Sequence, residues 1–237
     1  MQQKKRTRKR LKVSQKKGGK RRYSKKDMQD FRIKIMFCIL LAATIILGIY
    51  GCVKGKSTVR DSGLKVDASE PEIDVQLLDM NEYSRPGTPT DTITGIVIHY
   101  TANPGSTAKQ NRDYFNGLQD GHDTYASSHF VVGIEGEIVQ CIPTAEMAYA
   151  SNERNNDTVS IECCHPDETG KFTDATYESV VHLTAFLCKK FNLTEQDVIR
   201  HYDVTGKNCP KYFVENEEAW QIFRADVKAA LERSEQQ

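Results

Sequence analysis

The stretch "ITGIVIHYTA", residues 93–102, decides the fold of this 237-residue chain. It is a short apolar run, nearly continuous and rich in β-branched residues. A run of that length and composition predicts a strand that is buried on both faces of a sheet. His99 lies near the end of this predicted strand, so the strand would present an imidazole at the edge of the sheet.

Three further patterns follow this strand along the chain. Residues 105–118 predict a helix that opens with Ser106 or Thr107 as the N-cap. "SHFVVGIEGEIVQCIP", residues 128–143, consists of two apolar runs around a short polar turn, which predicts a hairpin. "TVSIECC", residues 158–164, predicts another strand.

The carboxyl-terminal third predicts two long helices separated by a short strand. Residues 173–192 have an apolar stripe at helical spacing, with Asn192 placed to end the helix in a left-handed conformation. "TEQD", residues 194–197, resembles a capping box, "VIRH" predicts a short strand, and the tail repeats apolar residues from Trp220 onward at three- and four-residue steps. Interleaved strands and helices indicate an α/β fold, a central sheet of mixed strand direction flanked by helices.

The formal net charge of +1 hides a strong asymmetry. Residues 1–34 hold 16 Lys or Arg and two Asp, a local charge of +14, so the remainder carries −13. The uncharged run that follows, residues 35–53, has 19 residues, and at 1.5 Å per residue a helix of that length roughly spans a bilayer core of about 30 Å. We expect a transmembrane anchor here, preceded by a basic cytoplasmic arm.

Two alternatives compete with an uncleaved anchor. A cleavable signal peptide has an apolar region of about 7–15 residues, which is shorter than this run. "IYGC", residues 49–52, hints at lipoprotein processing, although the tyrosine and the long basic arm disfavour it. The basic arm is interpreted as setting the orientation of the chain in the membrane and attracting anionic lipid headgroups. A tail that binds nucleic acid is the alternative, and nucleic acid is not an expected partner.

The predicted anchor places the rest of the chain on the extracellular, cell-wall side of a single-pass membrane protein. Residues 54–72 are polar and without apolar period, which predicts a tether, and residues 73–237 suffice for one domain. That domain has five cysteines: Cys141, Cys163, Cys164, Cys188 and Cys209. Five is odd and the spacings resemble no disulfide framework, so pairing stays open and at least one thiol needs another role.

"HYDVTGKNCP", residues 201–210, suggests that role. The stretch has neither helical nor strand periodicity and is interpreted as a loop in which His201 and Cys209 reach one ion. A catalytic zinc takes three protein ligands and keeps a fourth position for water. His99, at the end of its strand, is the best candidate for the third ligand.

Four separated motifs resemble the zinc-dependent N-acetylmuramoyl-L-alanine amidases of type 2, in the superfamily of the animal peptidoglycan recognition proteins. They are "TGIVIHYTA", "SSHFVVGIEGEIVQCIP", "NNDTVSIE" and "HYDVTGKNCP", in the family's order over about residues 90–230. The resemblance implies that His99, His201 and Cys209 bind zinc, Glu162 handles the proton of a zinc-activated water and Lys207 stabilises the oxyanion. It also implies peptidoglycan as substrate.

The chain departs from the family at two positions. Ser128 stands where some relatives have a tyrosine, which favours Glu162 as the proton carrier, and Tyr149 replaces a groove-lining histidine, which leaves substrate contacts open. His129 is interpreted as a groove or packing residue. His122, His165 and His182 are expected to be exposed or locally bonded.

Two other functions compete with hydrolysis of the bond between N-acetylmuramic acid and L-alanine. Some superfamily members bind peptidoglycan without cutting it, typically after losing the cysteine ligand, and a membrane-tethered scaffold is a third class. This chain keeps the three implied ligands together with the glutamate and the lysine, which favours the enzyme. The stem-peptide preference, the regulation and the oligomeric state stay open.

Overall fold

The computed structural model describes residues 63–236, together with the isolated positions 28, 29, 34 and 36. Apart from those four positions, the basic arm, the anchor predicted at 35–53 and the first part of the tether lie outside the described residues. Within the described part, no helix has both the length and the apolar character needed to cross a bilayer.

The described residues form a six-stranded sheet with the predicted mixed strand direction. In chain order the strands are β1 (Asp74–Val75), β2 (Gly95–Tyr100), β3 (Phe130–Val132), β4 (Ile138–Gln140), β5 (Thr158–Cys163) and β6 (Val198–Arg200). They lie side by side in the order β1-β4-β3-β5-β2-β6. Only the β3–β4 hairpin is antiparallel; every other pair is parallel.

Strand β2 explains why its sequence is apolar without alternation. It lies between the parallel strands β5 and β6, and Ile96, Val97 and Ile98 are completely buried. A parallel strand covered on both faces must place apolar side chains on each of them. The strand predicted around His99 is therefore confirmed, and it lies inside the sheet.

The helices begin and end close to the predicted signals. They are α1 (Ala108–Gly121), α2 (Asp174–Phe191), α3 (His201–Thr205), α4 (Lys211–Glu215) and α5 (Glu217–Glu235). Thr107 caps α1 in a capping box with Gln110, and Asn192 ends α2 with a left-handed backbone. These side-chain and backbone bonds satisfy amide and carbonyl groups that a helix end leaves unpaired.

The two faces of the sheet are covered by different elements. Alternate residues of β2 and β5, such as Ile98 and Ile161, face a large apolar cluster that includes residues of α2 and α5. The opposite face carries a smaller cluster in which Val131 and Val139 pack with Phe115 of α1. His99 and Glu162 belong to this second face because side chains alternate along a strand.

The turn of the β3–β4 hairpin depends on a glycine. Gly136 has φ +88, and a Cβ there would lie 2.9 Å from the Ala175 carbonyl oxygen and from the Ser179 hydroxyl. Any other residue would be strained and would collide with α2. Hairpin and helix therefore fix each other's position.

The structure corrects the interpretation of residues 201–210 as a loop. Residues His201–Thr205 form the short helix α3, which ends at Gly206 with φ +77. The prediction was wrong because five residues are too few to show an apolar period. Strand β1 and helix α4 were missed for the same reason.

Part of the predicted tether packs against the domain. Ala68 is only 2% exposed, its amide donates to Ser234 Oγ at 2.8 Å, and Arg233 Nε donates to the Val66 carbonyl at 2.7 Å. Leu64, Val66 and Ile73 pack against the large apolar cluster. The packed domain therefore begins before residue 73, its predicted first residue.

The large cluster should be sensitive to truncation of Phe223. This ring is fully buried, with its centroid 5.2 Å from that of Phe213 and 5.5 Å from that of Trp220. We expect Phe223→Ala to lower the free energy of unfolding by about 3–5 kcal/mol, because it removes buried apolar area and leaves a cavity. Chemical denaturation followed by circular dichroism measures this change.

Lys228→Ala on the same helix is the control. The Lys228 side chain is 55% exposed, so its removal should change the free energy of unfolding by no more than about 0.5 kcal/mol. If the two variants lost the same free energy of unfolding, Phe223 could not be assigned to the core.

Candidate metal centre

The pairing of three neighbouring strands aligns three functional side chains. His99 on β2 is directly opposite Glu162 on β5. On the other side of β2, Ile98 is opposite Arg200, so His201 follows at the level of His99. The His99 and His201 rings lie with their centroids 4.7 Å apart. Parallel strands deliver side chains from distant parts of the sequence to one edge in this way.

Helix α3 and the turn after it return Cys209 to the two histidines. The Tyr202 amide donates to the Cys209 carbonyl at 2.8 Å, and Cys209 Sγ lies 3.9 Å from His99 Nδ1. One ligand atom from each of His99, His201 and Cys209 lies within 4.8 Å of the other two, and all three residues are buried. The structure thus brings together the three residues predicted as ligands.

Two adjacent residues orient the histidine rings. The hydroxyl of Ser151 lies 3.2 Å from His99 Nε2, and Asn152 Oδ1 lies 2.9 Å from His201 Nε2. The Nδ1 atoms of both rings are left for the centre of the cluster, and His201 Nδ1 is buried without a hydrogen-bond partner. Metal-binding histidines commonly use their second nitrogen in this way, which fixes the ring and its tautomer.

Sequence analysis assigned no role to Ser151 or Asn152. Asn155 fixes the backbone that leads into these two residues. Its Oδ1 accepts hydrogen bonds from the amides of Ala150 and Ser151 at 3.1 and 2.6 Å. Asn152 itself has φ +53, a conformation that asparagine tolerates better than most residues. Two residues with side-chain oxygens at the start of a 3₁₀ turn are too common a pattern to indicate that they orient metal ligands.

The environment favours neutral imidazoles and disfavours a free thiolate. Burial lowers the pKa of His99 well below its usual value and lowers the pKa of His201 as well, and the charge of Lys207 adds to both effects. Burial raises the pKa of the Cys209 thiol to about 12, against a smaller opposing effect of the Tyr100 amide. Neutral imidazole is the form that binds metal, whereas the thiol needs a cation beside it to lose its proton.

These observations test whether the residues fit a metal ion. Two nitrogens and one sulfur converge, and one of the nitrogens is a buried polar atom without a partner. Buried polar groups are normally hydrogen-bonded, so an unpartnered one calls for an unseen ligand or ion. The donor set suits zinc, which binds imidazole and thiolate and keeps one position open in catalytic sites.

Glu162 lies beside this cluster in a state that suits proton transfer. Its Oε1 lies 4.0 Å from His99 Nδ1, and Oε2 is buried without a hydrogen-bond partner. Burial raises the pKa of Glu162 to about 8, with Lys207 acting in the opposite direction. The side chain is still 17% exposed, so it reaches the floor of the groove above it.

That groove has a volume of about 400 Å³ and contains all five predicted site residues. It is lined by the predicted residues His99, Glu162, His201, Lys207 and Cys209, by Tyr100, Phe115, Tyr125, Ala126 and Ser127, and by Tyr149, Ala150, Asn152 and Asn155. Tyr149 therefore lines the groove, at the position where the family resemblance left its contacts open.

The remaining histidines do not join the cluster. His129 is buried with both ring nitrogens engaged, Nδ1 by the Ser160 hydroxyl at 3.0 Å and Nε2 by the Glu146 carbonyl at 2.9 Å. His165 is locally bonded to the Asp167 carbonyl, but it is buried against Tyr100 and not exposed. It lies two residues after the end of β5, with its ring 5.1 Å from that of Tyr100.

The five cysteines of the domain are all free and buried. Cys163 and Cys164 pack on opposite faces of the sheet, in the larger and the smaller apolar cluster respectively. Burial raises the pKa of Cys141 and of Cys188 to about 12. Apart from Cys209, the described cysteines are therefore small apolar residues of the interior.

Comparison with known proteins identifies relatives of one kind. The family described as N-acetylmuramoyl-L-alanine amidase matches residues 89–212. A probable N-acetylmuramoyl-L-alanine amidase of Bacillus licheniformis is 35% identical over 166 residues, which cover 65% of this chain and 46% of the relative. The amidase BlyA of Bacillus subtilis strain 168 is 34% identical over 173 residues, 64% of this chain and 46% of the relative. The chain thus spans about half the length of these curated relatives.

Two solved structures share the fold of this chain. The catalytic domain of XlyA is 26% identical, with a TM-score of 0.57, and the match covers 66% of this chain and 99% of that domain. PlyL has a TM-score of 0.59 at 22% identity, over 68% of this chain and 99% of its own, and so supports the fold alone. The mixed sheet flanked by helices is shared with both.

The contact between Asn152 and His201 generates a prediction about metal affinity. We expect Asn152→Gly to weaken zinc binding by about 10–100-fold, because His201 loses the group that fixes its ring. Glycine is chosen since it adopts the positive φ of this position without strain. Competition with a chromophoric chelator measures the affinity independently of any reaction.

Asn152→Asp is the matched variant, because a carboxylate oxygen can still accept from His201 Nε2. It should retain most of the affinity that Asn152→Gly loses. If the Asn152→Gly variant binds zinc as tightly as the parent chain, the contact between Asn152 and His201 does not contribute to metal affinity.

Proposed function

The chain belongs to the N-acetylmuramoyl-L-alanine amidase family, and we propose that it hydrolyses the amide between N-acetylmuramic acid and L-alanine in peptidoglycan. One observation carries the proposal: two histidines and a cysteine from separate parts of the chain converge beside a buried glutamate and a lysine in one groove. A binding module has no need of that arrangement. A metal-dependent amide hydrolase has a use for each member of it: three ligands, a proton carrier and a cation for the carbonyl oxygen.

We propose that His99, His201 and Cys209 hold zinc. When bound, zinc supplies Lewis acidity, which makes a water more acidic and draws electron density from a carbonyl oxygen. Ser151 and Asn152 keep the two rings oriented, and burial excludes competing water from the thiol. The protein therefore contributes a rigid, mostly dry set of donors at the groove floor.

Glu162 is the proposed proton carrier. We infer that its buried, unpartnered carboxylate accepts a proton from the attacking water and then donates that proton to the nitrogen of the leaving L-alanine. Addition of water forms the new C–O bond, and the C–N bond then breaks as the carbonyl re-forms. The products are a lactyl carboxylate and a free amine. A carboxyl with a pKa of about 8 both takes and releases a proton near neutral pH.

Lys207 is the proposed stabiliser of the carbonyl oxygen. It lines the same groove, and its charge acts on Glu162, His99 and His201. Negative charge develops on the carbonyl oxygen when water adds to the amide carbon. Lys207 is exposed at the groove, so its ammonium can approach that oxygen and stabilise the charge by a charge-assisted hydrogen bond.

Wall digestion by the full chain in mild detergent tests the proposal. With purified bacterial cell walls we expect new amino-terminal alanine, lost after treatment with a chelator and restored by zinc. Glu162→Gln should lower the rate by at least about 10²-fold, because glutamine cannot carry the proton. Lys207→Ala should lower it by about 10²–10³-fold, the usual effect of removing one oxyanion donor.

Lys228→Ala, an exposed lysine remote from the groove, is the control and should digest walls at the parent's rate. Binding to walls without release of alanine would instead support a peptidoglycan-binding module. Release that persists in Glu162→Gln would remove this glutamate from the reaction.

We also propose that residues 35–53 anchor the chain in a membrane, with the basic arm inside and the hydrolase on the wall side. The uncharged run and the arm of charge +14 support this orientation. The full chain should sediment with bacterial membranes and resist extraction at high pH. Replacing Ile45 and Ile46 by arginine should release it, because each charge costs about 2.5–3.5 kcal/mol at the centre of a membrane helix. A parent chain that is already soluble would contradict the anchor.

A further inference from the structure

Four aromatic rings form a continuous series that ends inside the groove. Tyr83 stacks on His122 with a centroid distance of 4.5 Å and on Tyr125 with a distance of 5.1 Å. Tyr125 then meets Tyr149 edge to face at 5.5 Å. Tyr125 and Tyr149 line the groove together with His99 and Glu162. We call these four residues, Tyr83, His122, Tyr125 and Tyr149, the aromatic wall.

Main-chain hydrogen bonds hold the aromatic wall in place. The Ala126 amide donates to the Tyr83 carbonyl at 3.2 Å, and the Ser127 amide donates to the Tyr149 carbonyl at 3.1 Å. The Tyr149 amide in turn donates to Ser127 Oγ at 2.9 Å. His122 ends helix α1 with a left-handed backbone. The rings are therefore presented by segments that are tied to one another, which lowers the entropy lost when a ligand binds.

The aromatic wall is not explained by packing. The Tyr125 side of the wall is open to solvent, since Tyr125 is 57% exposed, although Tyr83 covers one face of its ring. None of the four residues belongs to either apolar cluster. An exposed series of aromatic rings that leads into a groove is a feature of ligand sites, because flat apolar faces with polar edges bind ligands that are partly apolar.

The residues around the aromatic wall carry little charge. Tyr125 and Tyr149 and their neighbours Ala126, Ser127 and Ala150 in the groove lining are uncharged, and the Glu82 carboxylate, which is hydrogen-bonded to Tyr83, raises the pKa of that phenol. Lys207 lies among the polar lining residues of the groove. A peptide rich in carboxylates is therefore repelled from the wall and attracted to Lys207.

We propose that the aromatic wall binds a sugar ring of the glycan strand next to the amide that is cleaved, by stacking Tyr125 on the apolar face of an N-acetylated amino sugar. The inference rests on the proposed function, which supplies a substrate with a sugar on one side of the amide and a peptide on the other. An acetylated sugar whose lactyl group is in amide linkage has no charge, so the Glu82 carboxylate beside Tyr83 does not repel it. The stem peptide then extends past Lys207.

Binding of two probes to the full chain tests this assignment. The first is the β-1,4-linked tetramer of N-acetylglucosamine, an uncharged saccharide without a peptide, which an amidase cannot consume. The second is a stem peptide with a free lactyl group at its amino terminus and no sugar ring, measured with Glu162→Gln so that it stays intact. Calorimetric titration gives the dissociation constant of each.

Tyr125→Ala should raise the dissociation constant of the saccharide about tenfold, the change expected from losing one stacked ring, and should change that of the peptide less than about twofold. Tyr125→Phe keeps the stacking face and should bind the saccharide within about threefold of the parent. Tyr114→Ala removes an aromatic ring of similar exposure, 56%, that lies outside the wall, and it should bind both probes like the parent.

Three results would overturn the assignment. The first is a parent chain that does not bind the saccharide, and the second is a Tyr125→Ala variant that binds it as tightly as the parent. The third is a Tyr125→Ala variant whose affinities for the saccharide and the peptide fall equally. The last would mean that the ring only supports the shape of the groove. Because the saccharide is never cleaved, these results are distinct from failure of the amidase reaction, which wall digestion by the parent chain reports separately.

Discussion

The register between β2 and its two parallel neighbours governs the whole site. It places Glu162 directly opposite His99, and it brings His201 to the level of His99 where β6 ends. A shift of one residue in either pairing would turn the side chain to the other face of the sheet, into the apolar cluster. The buried apolar residues that surround these positions prevent that shift, because it would expose Ile98 or Ile161 to the groove. The core and the site are thus specified by the same pairing.

Burial gives the site its chemical character. A water-exposed trio of two imidazoles and a thiol would be satisfied by solvent, whereas here a ring nitrogen and a carboxylate oxygen are buried without partners. Each such unpaired group lowers the free energy of unfolding by about 1–3 kcal/mol, and a bound ion would offset that loss. The same desolvation raises the pKa of Glu162 to about 8, which suits proton transfer near neutral pH. Stability is given up locally to hold these polar groups in place.

Much of this arrangement was predictable because the signals are local or chemical. An apolar β-branched run specifies β2, the hairpin follows from two such runs around a glycine turn, and the caps at Thr107 and Asn192 mark helix ends. The meeting of His99, His201 and Cys209 rested on the chemistry of zinc ligands and on the family resemblance. The supporting roles of Ser151 and Asn152 and the packing of Ala68 were not predictable, because they depend on tertiary contacts without a sequence period. Helix α3 was missed because a single turn leaves no periodic trace.

The cluster of His99, His201 and Cys209 lies at the sheet edge and lines a groove that also contains Tyr125, Tyr149 and Lys207. The proposed function requires that the three clustered residues bind one ion. X-ray absorption at the zinc edge, measured on the full chain purified with one equivalent of zinc, shows which atoms surround the metal. We expect one sulfur neighbour at about 2.3 Å and lighter neighbours at about 2.0–2.1 Å, two of them imidazole nitrogens. A zinc shell with no sulfur, or with two or more, would rule out this ligand set.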